Sequence, residues 1–131
     1  MLRTADALTR GFAEVLRPAK LSPTQYNALR ILRGAGSDGL ACKEIGERMI
    51  TRDPDITRLL DRLEKRGLVA RSRDSRDRRV ITIRITDAGS RLVNDLDPAV
   101  ERMHAELLGH LGEKKLEALS AMLEAAREKR G

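Results

Sequence analysis

Between Arg71 and Arg79 the chain sets five arginines against two aspartates, a net +3 within nine residues. Nothing apolar lies from Arg73 to Arg79 to hold that segment against a core. A guanidinium is permanently charged and planar, and its fork of donors matches phosphate oxygens and the edge of guanine. Solvated faces usually mix lysine with glutamate, whereas here the positive charge is all arginine. Arg73, Arg76, Arg78 and Arg79 therefore point to recognition of a polyanion. The plainer reading, a charged hairpin that is merely solvated, loses to it because of what stands immediately before.

The element before the arginines is a helix. Ile56, Leu59, Leu60 and Leu63 recur at i, i+3, i+4 and i+7, one apolar stripe. Asp53 suits an N-cap and Pro54 the first helical position, Lys65 and Arg66 fill the last turn, and Gly67 stands where a left-handed residue is needed. The pattern predicts a helix over 54–66. Two β-type runs follow, Leu68–Ser72 and Val80–Ile85. The second alternates Ile81, Ile83 and Ile85 with Val80, Thr82 and Arg84. A helix with a polar outer face followed by an arginine-tipped hairpin fits a winged helix-turn-helix, helix in the major groove and wing on the neighbouring backbone or minor groove.

The totals agree. In 131 residues there is room for one domain. The formal charge is +6, and residues 52–79, with ten Lys/Arg against six Asp/Glu, hold +4 of it. At 40% hydrophobic and 35% charged, the chain has much helix surface to leave exposed or to hide in a dimer. A single cysteine excludes an intrachain disulfide and fits a reducing compartment. No apolar run approaches the ~20 residues that span a bilayer, and the N-terminus has no signal pattern, so the expected location is the cytoplasm, with no membrane partner.

From the N-terminus, Ala5, Leu8, Phe12, Val15 and Leu16 form a helical stripe ending before Pro18. Ser22-Pro23-Thr24-Gln25 opens a second helix with a capping box, and Tyr26, Leu29 and Leu32 are its buried face with Ala28 and Ile31 beside them. Gly34-Ala35-Gly36 stops it and Ser37-Asp38-Gly39 turns. Leu40 begins a connector to a third helix over 42–49, with Ala41 as a weak cap and Ile45 and Met49 inward. Ile50-Thr51-Arg52-Asp53 joins it to the next, completing the helix-turn-helix. Beyond Ile85 the helical period returns at Ala88, Leu92, Leu96, Val100, Met103, Leu107 and Leu111. Pro98 predicts a kink or break near Asp97. Leu116, Leu119, Met122, Leu123 and Ala126 mark a last helix. These helices either fold back over their own domain or pair two copies, and palindromic operators favour pairing.

Leu21 to Tyr26, Lys43-Glu44-Ile45, Ile56 through Val69, Asp77-Arg78-Arg79 and Ile85-Thr86-Asp87-Ala88-Gly89 together resemble the multiple-antibiotic-resistance-regulator (MarR) family. The resemblance implies a mainly α fold with a small β-hairpin wing. A winged helix-turn-helix core would occupy 20–86, with dimerisation helices at 1–17 and 87–131, in one MarR-type domain. It implies a homodimeric regulator of transcription, often a repressor released by a small ligand or by oxidation. Its DNA-binding residues would be Thr51, Arg52, Asp55, Thr57, Arg58 and Arg62 on the recognition helix and Arg73, Arg76, Arg78 and Arg79 on the wing. Asp77 matches an acid that braces a wing arginine. Phe12, Tyr26 and Arg30 would line an effector pocket, though both aromatics also read as core. Asp53 and Asp55 depart from the usual neutral or basic residues. They are either helix caps or, for Asp55, an acceptor for cytosine N4.

Other constellations fall short. Cys42 is either a reactive thiol or a small half-buried residue, and the first helix lacks the cysteine of oxidant-sensing relatives. Glu101, His104 and His110 do not converge for a metal, since the histidines stand six apart. No nucleophile–base pair or phosphate-cradling glycine loop is present, so neither enzyme nor cofactor is expected. The remaining rival is a winged-helix module that binds protein, its basic wing gripping an acidic partner.

Overall fold

A computed structural model describes residues 2–49, 55–73 and 80–128, and among these it shows six α-helices and a three-stranded antiparallel sheet. Helix α1 (Leu2–Leu16) turns its Leu16 fully inward and half-buries Leu8, Phe12 and Val15, while Ala5, at the start of the expected stripe, is exposed. Helix α2 (Pro23–Ala35) begins as the sequence predicts: Gln25 N–H donates to Ser22 Oγ at 3.1 Å and Ser22 N–H to Gln25 Oε1 at 2.9 Å. Both orphan donors of the first turn are thereby satisfied. Tyr26, Ala28, Leu29 and Leu32 are its buried residues.

Helix α3 (Cys42–Arg48) stops one residue short of expectation, with Met49 already extended. Alanine has no side-chain acceptor for a cap, and the start is secured from the other side, by Ala41 N–H donating to Glu44 Oε1 at 3.1 Å. Helix α4 (Ile56–Lys65) begins two residues later and ends one earlier than the predicted 54–66, with Asp55 in the cap position. The cap assigned to Asp53 and Pro54 lies outside the described residues.

The sheet holds a strand that periodicity did not reveal. β1 (Leu40–Ala41) pairs with β3 (Ile81–Ile85), which pairs with β2 (Val69–Arg73), giving the order β1-β3-β2. Two residues cannot show an alternation, and β1 exists only through its pairing. In β3, Ile83 is buried and Ile85 half-buried, but Ile81 is 40% exposed because it lies out along the wing opposite Arg73.

Helix α5 (Asp87–Leu108) starts on Thr86, whose Oγ1 accepts from Gly89 N–H at 3.1 Å. It runs on through Pro98, so of the kink or break expected near Asp97 the break does not occur. Proline removes one ladder bond, and the packing of Val93, Val100 and Met103 on either side keeps the helix continuous. The inward stripe begins at Gly89 rather than Ala88, which is exposed. A Cβ on Gly89 would run into the carbonyl oxygen of Leu68 and lie 2.8 Å from Cγ1 of Ile85, so a glycine lets α5 touch the end of the α4 segment. Helix α6 (Glu113–Glu128) buries none of its described residues, and Met122 is 63% exposed.

The core runs from Leu16 through Leu29, Leu32, Ile45, Leu60 and Leu63 to Ile83 and Val93, each at most 2% exposed. No described helix is long and apolar enough to cross a membrane.

Candidate nucleic-acid interface

Leu59, Leu60 and Leu63 fix the roll of α4, and so decide which of its side chains face out. With those three in the core, Thr57, Arg58 and Arg62 stand exposed. The helix ends in a Schellman motif. Gly67, at φ 73°, donates its N–H to Glu64 O at 2.9 Å, and Leu68 N–H reaches Leu63 O at 3.0 Å, with both leucines buried. Only glycine adopts that backbone without strain. The chain enters β2 at the next residue but one, so the helix end sets the direction of the wing.

Five further contacts lock this corner. Asp61 on α4 pairs with Arg71 on β2, which ties the root of the wing to the helix. Arg66 spreads its fork over two carbonyls, Ala19 O and Lys20 O, each at 2.8 Å. Thr86 Oγ1 donates to Gly67 O at 2.6 Å, and Thr86 N–H to Leu68 O at 3.0 Å.

The Asp55 side chain does not cap α4 by a hydrogen bond to its backbone; its Oδ2 lies 3.2 Å from Arg58 Nε, one turn into the helix. Arg58 and Arg62, with Asp55 and Leu59, form one wall of a hollow of about 230 Å³ whose other wall is Ser22, Thr24 and Gln25 of the α2 start. Sequence reading assigned those three only to capping. Their signal was present, since a capping box places polar side chains together at a helix start. Arg73 is exposed at the end of β2. Thr51, Arg52, Arg76, Asp77, Arg78 and Arg79 lie outside the described residues, so the structure neither gathers nor separates them. Cys42 is half-buried, its sulfur 3.9 Å from Thr57 Oγ1.

A second cluster lies between α1, α2 and α5. Phe12, Tyr26 and Arg30 line a cavity of about 290 Å³ with Val100 and His104. Phe12 meets Tyr26 edge-on at 5.6 Å between ring centres and His104 at 5.8 Å, and the Arg30 guanidinium carbon stands 5.9 Å from the Tyr26 ring centre. Tyr26 is 2% exposed and its hydroxyl donates to Asp97 Oδ1. Arg33 Nη1 holds the other carboxylate oxygen at 2.6 Å and Asn94 Oδ1 at 2.7 Å. Burial, and then the bond to Asp97, push the Tyr26 phenol well above the usual tyrosine range. Burial alone would raise Asp97, but the bonds from Tyr26 and Arg33 outweigh it and hold the carboxyl below the usual carboxylate range. The sequence reading missed Arg33 and used Asp97 only to place a kink and His104 only as a weak metal ligand. The spacing was available: Tyr26, Arg30 and Arg33 share one face of a helix at i, i+4 and i+7.

Comparison with known proteins places this geometry. The model of the MarR family matches residues 21–81. A MarR transcription factor from Planctomyces limnophilus is 41% identical, with a TM-score of 0.74, covering 95% of this chain and 90% of that one. The HTH-type transcriptional regulator MhqR of Bacillus subtilis is 32% identical over 79% of this chain and 70% of its own. CouR of Rhodococcus jostii, solved with p-coumaroyl-CoA bound, is 26% identical with a TM-score of 0.80, covering 95% of this chain and 86% of its own. With α4 and the wing arranged on the core as described, the chain belongs to the MarR family of winged helix-turn-helix DNA-binding transcription regulators.

Proposed function

We propose that the chain acts as a homodimer that represses transcription by seating α4 of each copy in successive major grooves of a palindromic operator, and that a small molecule in the Phe12–Tyr26–Arg30 cavity releases it. In this reading residues 20–86 are the DNA-reading core, and 1–17 with 87–131 are the pairing helices of a single domain. Thr51, Arg52, Asp55, Thr57, Arg58 and Arg62 face base edges and phosphates, and Arg73, Arg76, Arg78 and Arg79 grip backbone from the wing. Arg58 and Arg62, beside the hydroxyls of Ser22 and Thr24, suit a phosphate at the mouth of the hollow.

The observation that carries the reading is the exposed face of α4, presented by three buried leucines and continued by a pinned wing. Pairing is supported by α6, whose Met122 and Leu123 are exposed while no described residue of the helix is buried. It is supported too by the open hollow of about 480 Å³ between α1 and α5, floored by Val15, Met103 and Leu107. An isolated amphipathic arm leaves apolar surface in water, and a second copy removes it. The effector reading is supported by a cavity with two aromatic walls and one guanidinium, which suits a planar molecule bearing negative charge, and by the ligand-bound CouR relative.

Selection of bound duplexes from a random pool, with sedimentation of the same sample, tests the reading. The expected result is a palindrome with half-sites about 10 base pairs apart, bound by a dimer with steep salt dependence. A monomer that ignores duplex DNA at low salt overturns it. Binding to protein alone would establish the interaction-module alternative.

A further inference from the structure

Tyr26, Arg33, Asn94 and Asp97 form a polar clasp between α2, which packs against the DNA-reading helix, and α5, which runs out to α6. The clasp grips α5 at a particular place. Asp97 precedes Pro98, whose nitrogen carries no hydrogen, so the Asn94 carbonyl has no intrahelical donor there. The helix ladder is a bond short at the turn where α2 takes hold of it. Both carboxylate oxygens of Asp97 are used, one by the Tyr26 hydroxyl and one by Arg33. Tyr26 is itself held between the Phe12 edge and the Arg30 guanidinium, so its hydroxyl has little freedom to find another acceptor.

We infer that Asp97 is a positioning residue for DNA binding: through Tyr26 and Arg33 it fixes the direction in which α5 leaves the reading core. That direction matters because it sets where a second α4 stands along the duplex, a step that rests on the proposed pairing. Loosening the clasp spreads the core over several orientations, and only a fraction of them matches the operator. Contact with phosphates by one core at a time is unaffected. The clasp therefore serves selected duplex and not random duplex. Tyr26 is also a wall of the 290 Å³ cavity, so an occupant of that cavity lies against one of its members.

The test uses Asp97→Asn, Tyr26→Phe and the double variant of the full chain, all close in shape to the parent. Sedimentation, affinity for the selected duplex and affinity for a scrambled duplex are measured for each. Since the chain has one tyrosine and no tryptophan, 3-fluorotyrosine gives a single fluorine resonance that reports the clasp directly. The expected result is a shifted resonance in Asp97→Asn, a loss of at least fivefold in selected-duplex affinity for each single variant, and scrambled-duplex affinity within twofold of the parent. The double variant should lose less than the product of the two single losses, because both substitutions disturb the Tyr26–Asp97 bond, while Asp97→Asn also weakens the hold of Arg33. Asp97→Asn binding the selected duplex within twofold of the parent, by a protein that sediments as a dimer, overturns the clasp and leaves pairing intact. Equal losses on both duplexes, or single effects that multiply, also overturn it. A parent protein that sediments as a monomer overturns pairing, and the inference with it, by a separate observation.

Discussion

Tyr26 and Asp97 move each other's titration in opposite directions, and both shifts make the clasp depend on pH. Asp97 is held below the carboxylate range in the folded chain and returns to about 3.9 when unfolded. Its contribution to stability is complete above that value and is lost as pH falls through the lowered one. Tyr26 is raised, so its contribution is complete below the unfolded value of about 10 and is lost as pH rises toward the folded one. Absorbance near 295 nm follows the single tyrosine. Folded protein should show little tyrosinate at about pH 10, where a free tyrosine is half ionised; an ordinary midpoint would refute the burial of the phenol together with its bond to Asp97. Arg66 makes a second prediction at this scale. Replacing it with alanine leaves Ala19 O and Lys20 O without their donor, and the partly solvated site should lose about 1 kcal/mol. Urea unfolding measures it, and an unchanged midpoint would show that the fork adds nothing.

At the scale of elements, what could be read in the sequence is what is local. The α2 capping box, the stripe of α4 and its glycine stop involve residues within a few positions of one another, and their spacing is their physics. Gly89 shows the limit. Periodicity preferred Ala88 as the inward residue because it carries a methyl, yet the requirement at that face is the absence of one, set by Leu68 O from a distant segment. β1 was illegible for the same reason, since only Ile83 and Thr82 across the sheet define it. The residues proposed to face DNA stand out in the sequence as charge, but which arginines are already engaged does not. Arg71 and Arg66 answer to Asp61 and to two carbonyls of other elements. Two substitutions test the joints. Gly89→Ala should destabilise by ~1–3 kcal/mol through overpacking, with a lowered melting temperature, and a neutral result would mean that α5 can withdraw from Leu68. Thr86→Ala removes a helix cap together with the bond to Gly67 O and should cost about 1–2 kcal/mol, read by the same melts.

For the whole molecule, the proposed pairing makes α6 a functional element without any contact to DNA. Ending the chain after Gly112 should yield a monomer whose selected-duplex affinity falls at least tenfold, while scrambled-duplex affinity changes little. Retention of a dimer by that truncation would move the pairing surface elsewhere, to α1 and α5 alone.

Because nothing protrudes from Gly89, the opening turn of α5 sits flush against Leu68, where α4 gives way to β2. Any swing of the long helix is then taken up further along, near the proline. From Asp97 to Leu108 the remaining shaft is roughly 16 Å. A tilt of about 10° at that fulcrum carries its tip by about 3 Å, comparable to the reach of one hydrogen bond. In the proposed pairing, a molecule too small to span both copies would thus need only to nudge one turn of one rod to take the two readers out of step with their grooves.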